Sequence, residues 1–307
     1  MAEPFILGDW GTTSCRLHLI DGGRARDGVA GPGVARAREQ PGGLPAVYAG
    51  MVAGWEARHG PLRALLCGTV GANIGWVDAG YLGAPARVSD FYARRVRTER
   101  DGVDILPGVM VEANAFGQPD VMRSEEMQVF GWLAATERTK ARLCLPGTHT
   151  KWVEVADSAI VNFTSSCVGE LFGAIRTATI LAPARGEGAG AVVLGEAFAD
   201  GVALAARHPA LVSALFSIRA EAALNRLSAA DSRDRMSGLL IGADCHAMLQ
   251  QGHAPDAVVG APALAAAYQR ALRQIGHEVE VADGQDAVLA GLLEVVRQGT
   301  VRQGVRL

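Results

Sequence analysis

The sequence predicts a two-lobed α/β protein, and three observations carry that prediction. The chain has 307 residues and is 49% hydrophobic. That is longer than an ordinary single domain and enough to bury a sizeable core, so two lobes are expected. Two segments share one design, an apolar run, a polar Gly-Thr turn and a second apolar run: FILGDWGTTSCRLHLID (5–21) and ARLCLPGTHTKWVEV (141–155), about 135 residues apart. Between and after them, short β-like runs alternate with helix-periodic stretches, and no short-period repeat of the solenoid kind is present.

In order along the chain, Phe5 to Leu7 and Arg16 to Ile20 read as strands joined by a polar loop at Gly8 to Ser14 and closed by Asp21-Gly22-Gly23. GGLPAVYAGMVAGWEAR has helical spacing, and RALLCGTVG reads as a buried strand running into a loop. After Pro107-Gly108 comes a further strand-like piece. DVMRSEEMQVFGWLAATER follows, with Met127, Phe130, Trp132 and Leu133 placed for a helix capped near Ser124. The later half holds alanine-rich helices, then DAVVGAPALAAAYQRALRQIG, a strand ending at Gly260 with a helix after it. DGQDAVLAGLLEVVRQ closes the chain as an amphipathic helix. Residues 1–112 are expected to form the first lobe and 113–307 the second, with the final helix near 286–304 packing back on the first. PARGEGAG, Pro183 to Gly190, is the expected linker or mobile loop on glycine content.

Charge and cysteine usage narrow the function classes. A net charge of −3 gives no basic excess for nucleic acid or an anionic membrane, so an anionic substrate has to be captured locally. Five scattered cysteines without C-x-x-C spacing read as reduced thiols of a cytoplasmic protein. No run approaches the roughly 18 uninterrupted apolar residues of a membrane span.

The polar turns carry the chemistry. Backbone N–H groups in such a loop can surround phosphate oxygens, glycine permits close approach, and threonine hydroxyls add donors without bulk. Asp9, at the end of its strand, can hold Mg²⁺ directly or through water, with Arg16 as a nearby cation. The plain alternative for DWGTTS is a hairpin turn. LPGTHTKW repeats the arrangement at Gly147 and Thr148, with Lys151 and His149 either ligands or an exposed strand face. Two such turns are what it takes to clamp a nucleotide's phosphates from opposite sides. Neither the Walker A pattern nor G-x-G-x-x-G occurs.

Asp9-Trp10-Gly11-Thr12-Thr13 resembles the first phosphate motif of the actin-like ATPase and sugar-kinase superfamily. Gly147-Thr148 resembles its second, and Val258-Val259-Gly260-Ala261 before a helix resembles its adenosine motif. Within that superfamily the chain is similar to the 2-keto-3-deoxygalactonokinase family through GTVGANIGW (68–76), DVMRSEEMQ (120–128), LPGTHTKW and SGLLIGAD (237–244). It departs from the family pattern at Thr69, Ser124 and Met127, where methionine, glycine and threonine are expected, and at Val168, where a Thr-Gly-Glu-Leu segment is expected.

The resemblance implies a two-lobed actin-like ATPase (ribonuclease H-like) fold with an interdomain cleft. It also implies ATP and Mg²⁺ as cofactors and a small-molecule sugar acid, 2-dehydro-3-deoxy-D-galactonate, as acceptor. Phosphoryl transfer to an alcohol needs a carboxylate that orients the hydroxyl and takes its proton. Related sugar kinases place it at the start of the helix before the second phosphate turn, and Glu125 precedes Gly147 by 22 residues. Glu125 is therefore the expected base, with Glu126 as substitute, because adjacent helix residues point about 100° apart. Against this stands the ordinary preference of glutamate for a helix's first turn.

Further expectations are Gly11, Thr12, Thr13, Arg16, Gly147, Thr148 and Lys151 on phosphates, Gly260 and Ala261 on adenosine, and Asp9 on the metal. Asn73, Trp76, Arg123 and Glu170 are expected on the substrate, although Trp76 also reads as a core anchor and Arg123 as a surface arginine. Alternatives are a kinase for another acid such as 2-dehydro-3-deoxygluconate, or a nucleotide-driven actin-like binding protein without acceptor; a homo-oligomer is compatible with either.

Overall fold

The computed structural model describes residues 3–181, 190–208 and 210–302. The chain divides into two compact units, unit 1 with Met1–Lys140, Glu154–Phe163 and Gln285–Leu307, and unit 2 with Ala141–Val153 and Thr164–Gly284. The sequence boundary at residue 112 falls inside unit 1. Of the expected linker Pro183 to Gly190, all but Gly190 lies outside the described residues.

Unit 1 is built on the first hairpin. β1 (Phe5–Trp10) and β2 (Ser14–Asp21) pair antiparallel, with Leu7 opposite His18 and Asp9 opposite Arg16. The strand runs on through Gly8, Asp9 and Trp10, so the turn proper is Gly11 to Thr13, shorter than the Gly8 to Ser14 loop expected from the sequence. β2 alternates as its sequence demands: Cys15, Leu17 and Leu19 are buried while Arg16 and His18 are half-buried. β3 (Arg24–Pro32) extends the sheet on one side.

Two helices follow, α1 (Val34–Ala37) and α2 (Gly43–His59). Leu44, Tyr48, Val52 and Trp55 fall on one face of α2 and enter the core beside Trp10 and Leu17. Arg58 and His59 in its last turn suit the negative end of the helix dipole. β4 (Arg63–Cys67) lies parallel to β1 and sets Cys67 beside Asp9.

Next come β5 (Tyr81–Gly83), β6 (Ala86–Arg87), α3 (Val88–Ala93), β7 (Val96–Arg97) and β8 (Val103–Ile105), of which β8 and β7 complete a six-stranded sheet of order β3-β2-β1-β4-β8-β7. β9 (Gly108–Val111) and β10 (Asp120–Met122) form a small second sheet with β5. α4 (Glu125–Thr136) then buries Met127, Val129, Phe130, Trp132 and Leu133.

In unit 2, β11 (Ala141–Leu145) leads into the second polar turn, and β12 (Thr150–Ala156) and β13 (Ala159–Ser166) carry the chain through the division. Four helices follow: α5 (Val168–Ala178), α6 (Glu196–Arg207), α7 (Leu211–Ala223) and α8 (Ala229–Gln250). α8 is buried almost all round from Ser232 to Cys245, as befits a central helix. β14 (Ala257–Gly260) is wholly buried and lies parallel to β11 and to β15 (Glu280–Asp283), with α9 (Pro262–Gln274) between the last two strands in the chain. Pro262 opens α9 where a missing N–H costs nothing.

α10 (Gly284–Arg302) belongs to unit 1 from Gln285 onward and packs on α4 through glycines. A Cβ on Gly131 would stand 1.8 Å from the Ala287 carbonyl oxygen, and one on Gly291 would stand 2.0 Å from that of Met127. The backbones touch, and no flexible side chain is there to give way. Gly291→Ala should therefore lower stability by about 1–3 kcal/mol through overpacking, despite a gain of roughly 1 kcal/mol in helix propensity. A urea unfolding midpoint at or above that of the parent protein would contradict this packing.

Candidate active site

Unit 1 gathers its polar residues at the end of the first hairpin. Asp9 sits between Arg16 on the antiparallel side and Cys67 on the parallel side. Ser124 Oγ donates to Asp9 Oδ1 at 2.7 Å, and Cys67 Sγ lies 3.9 Å from the same oxygen and 3.7 Å from Ser124 Oγ. Burial raises the Asp9 pKa, and the Ser124 hydroxyl and then the Arg16 charge pull it back down. The turn above is pinned from outside: Val34 N donates to the Gly11 carbonyl at 3.0 Å and Ala35 N to that of Thr12 at 3.1 Å. Thr12 and Thr13 are exposed, and Thr12 Oγ1 lies 3.0 Å from Thr69 Oγ1, a neighbour that sequence reasoning did not assign to the site.

The start of α4 closes this cluster. Glu125 Oε2 accepts from Arg123 N at 3.0 Å and Glu126 Oε1 from Ser124 N at 2.9 Å, so each glutamate ties down a backbone amide just ahead of the helix. Ser124 has φ 94°, a region where a non-glycine residue costs on the order of 1–3 kcal/mol. It occupies the N-cap position but makes no capping bond with its side chain. This corrects the expected cap, because the hydroxyl is spent on Asp9.

Glu126 is fully buried, its Oε2 has no partner among the described residues, and its carboxyl is pushed up to about 8, first by burial and then by the Glu125 charge. Glu125 is half-buried. Glu126 is sealed in the interior while Glu125 keeps part of its surface in solvent, a division that leaves the first of the two glutamates the more accessible.

Arg123 lies against the same helix start. Its Nη2 donates to the Gly80 carbonyl at 3.0 Å and its guanidinium lies 4.4 Å from the centre of the Tyr81 ring. Nε and Nη1 are buried without a partner among the described residues. Gly71 makes the room, since a Cβ there would stand 3.0 Å from Nη1 and 2.8 Å from Ile105 Cγ2. Asn73, on the same glycine-rich loop, is exposed. Trp76 is half-buried; its indole N–H donates to Glu99 Oε1 at 2.7 Å, and its ring packs against Trp10 and Tyr48.

Unit 2 brings its own expected residues together around the second turn. A Cβ on Gly260 would stand 3.2 Å from the Pro146 carbonyl, so the end of β14 abuts the turn. Gly169 lets the start of α5 close on it, and Glu170 N donates to the Thr148 carbonyl at 2.9 Å. Gly147, Thr148, Gly260, Ala261 and Glu170 are thus neighbours of one loop or its flanks. The Glu170 carboxylate pairs with His149 Nε2 at 2.7 Å, an exposed pair that contributes little to stability.

Lys151 is buried, with Nζ donating to Ser165 Oγ at 2.5 Å. Behind the turn, buried Asp244 accepts from Tyr268 at 2.8 Å and from Trp152 Nε1 at 3.1 Å, while Thr150 Oγ1 lies 2.7 Å from the Tyr268 hydroxyl.

Glu126 makes stability depend on pH. Its carboxyl stays protonated in the folded state up to about pH 8 but ionises near its ordinary value of 4.5 once unfolded, so the folded state binds the extra proton and stability falls as pH rises across that window. In urea unfolding measured at pH 5.5 and pH 8.5, Glu126→Gln should gain stability relative to the parent protein at the higher pH. A difference between the two proteins that does not change with pH would refute the buried neutral carboxyl.

Comparison with known proteins places these features in a family. Residues 9–295 match the 2-keto-3-deoxy-galactonokinase family. A curated protein of Rhizobium meliloti (strain 1021), named a probable 2-dehydro-3-deoxygalactonokinase, is 36% identical over 94% of this chain and 95% of its own length. The 2-dehydro-3-deoxygalactonokinase of Escherichia coli (strain K12) is 30% identical over 96% of this chain and 98% of its own. A crystal structure from Sinorhizobium meliloti, described as a candidate 2-dehydro-3-deoxygalactonokinase, superposes with a TM-score of 0.85 at 35% identity, covering 95% of this chain and 98% of that one. The activator of the 2-hydroxyisocaproyl-CoA dehydratase from Clostridium difficile, at 11% identity and a TM-score of 0.54, covers 99% of this chain and 98% of its own and shares the fold alone. The actin-like ATPase fold class expected from the sequence is the one observed, and the chain belongs to the 2-keto-3-deoxy-galactonokinase family.

Proposed function

We propose that this protein transfers the γ-phosphoryl group of ATP to the 6-hydroxyl of 2-dehydro-3-deoxy-D-galactonate, with Mg²⁺ on the phosphates. The observation that carries this reading is the Arg123 guanidinium. Two of its buried nitrogens have no hydrogen-bond partner among the described residues, at the start of the helix that bears Glu125. A buried cationic donor left unpaired is costly. A carboxylate supplies charged acceptors for such donors, and the acid end of a 2-keto sugar acid is such a group.

Glu125 is the base: its carboxylate, on the half-buried first residue of α4, orients the acceptor hydroxyl and takes its proton. Asn73 offers an exposed amide that donates and accepts, which suits sugar hydroxyls. Trp76 anchors that loop on the Trp10 and Tyr48 rings.

Each unit offers groups suited to a nucleotide. Gly11, Thr12, Thr13 and Arg16 in unit 1, and Gly147 and Thr148 in unit 2, offer phosphate donors, and Lys151 adds positive charge behind the second turn. Glu170 and its partner His149 border that turn. Gly260 and Ala261 offer a bare backbone for the adenosine. The Asp9 donor set fits Mg²⁺, an ion that takes one or two carboxylates and fills its remaining positions with water and phosphate oxygens. Burial disfavours the Asp9 charge, so a cation beside it would stabilise the ionised carboxylate. Held there, Mg²⁺ would supply positive charge to offset the negative charge that develops on the phosphates during transfer.

ADP production should depend on added sugar acid, and in a panel of keto-deoxy sugar acids 2-dehydro-3-deoxygalactonate should be phosphorylated with the highest kcat/KM. ADP release independent of any acid, or a preference for another acceptor, would overturn the assignment. Glu125→Gln should lower kcat by about 10²–10⁴-fold with nucleotide affinity unchanged; parental turnover would remove Glu125 from the base role. Arg123→Met should raise KM for the acid by at least about tenfold and leave KM for ATP alone, whereas an equal rise in both would place the guanidinium on the nucleotide.

A further inference from the structure

We propose that Ser124 is a positioning residue for Asp9, the carboxylate that holds Mg²⁺ in the reading above, on which this inference rests. Ser124 stands at φ 94° and ψ −38°, where glycine would sit without strain. The backbone is held there from both sides, by Arg123 N on Glu125 and by Ser124 N on Glu126, and glycine would keep both bonds. The hydroxyl is what serine adds, and it caps nothing on its own helix. It donates instead to Asp9 Oδ1 at 2.7 Å, across 115 residues of sequence, with the Cys67 thiol 3.7 Å away on its other side.

Asp9 is half-buried, and this hydroxyl is its direct side-chain partner. With Oδ1 engaged by Ser124 and Cys67, Oδ2 is the oxygen that Asp9 offers to a metal. A strained serine in place of a relaxed glycine thus fixes the rotamer of the metal carboxylate. This is the task that neighbours of metal ligands perform elsewhere.

The test is a Mg²⁺ titration of the melting temperature at fixed ADP, performed on the parent protein, Ser124→Gly, Ser124→Ala and Asp9→Asn. Without ligand, Ser124→Gly should melt no lower than the parent, and Ser124→Ala, which keeps the strain and loses the bond, should melt below Ser124→Gly. Both serine variants should need about tenfold more Mg²⁺ to reach half the maximal shift. An unchanged Mg²⁺ requirement in Ser124→Gly, with a raised one in Asp9→Asn, would overturn the role of Ser124 alone. An unchanged requirement in Asp9→Asn would overturn the assignment of the metal to Asp9 itself, and the Ser124 proposal with it.

Discussion

A half-buried carboxylate at the end of a strand is the constraint around which unit 1 is organised. Asp9 lies where β1 leaves the sheet, flanked by Arg16 and Cys67 through strand pairing, and burial works against its charge. A neighbouring hydroxyl and a neighbouring cation offset that cost. The hydroxyl comes from Ser124, and bringing it there requires a backbone conformation that serine ordinarily avoids. The two glutamates that open α4 hold the backbone in that shape. Their placement then separates them, with Glu125 half-buried at the cluster and Glu126 sealed in the interior as a neutral acid.

Unit 2 meets a similar requirement with neutral partners. Its polar turn also leaves a buried strand, and a buried acid lies behind it, but Asp244 is surrounded by the Tyr268 hydroxyl and the Trp152 indole. Burial raises the Asp244 pKa while these bonds, Tyr268 first, oppose the rise. Thr150, the first residue of β12, joins the same network through Tyr268, so the far end of the turn is tethered to α9. The helix start at Gly169 and Glu170 and the strand end at Gly260 then close on the loop. In both units the polar turn exposes its threonines to solvent.

How much of this was legible in the sequence depended on how local the cause is. The hairpins, the buried strands, α2, α4, α9 and α10 were readable because apolar spacing follows the period of the element. β3 was not, since RARDGVAGP lies at a sheet edge with its first five residues exposed, and an edge strand needs no apolar alternation. β5 and β10 were equally hidden, each being three residues long; of their sheet only β9, the strand-like piece after Pro107-Gly108, was readable. The residue types at Asp9, Glu125 and Arg123 suggested chemistry, and motif resemblance pointed to the family. Ser124 read as a helix cap because capping is the local use of a serine there, and no spacing rule links it to an aspartate 115 residues away. Thr69, which meets Thr12 across 57 residues, escaped for the same reason.

The sequence by itself determined the α/β class, the two polar turns, the acidic start of α4 and the family, because each depends on residue types at fixed short separations. Only the tertiary structure decided which glutamate is buried, that two nitrogens of the Arg123 guanidinium have no hydrogen-bond partner among the described residues, that the Trp76 indole N–H goes to Glu99, and that the Ser124 hydroxyl goes to Asp9. The physical reason is that burial and hydrogen-bond partnership are properties of neighbours in space, and those neighbours are supplied by sheet pairing and helix packing between segments far apart in the chain.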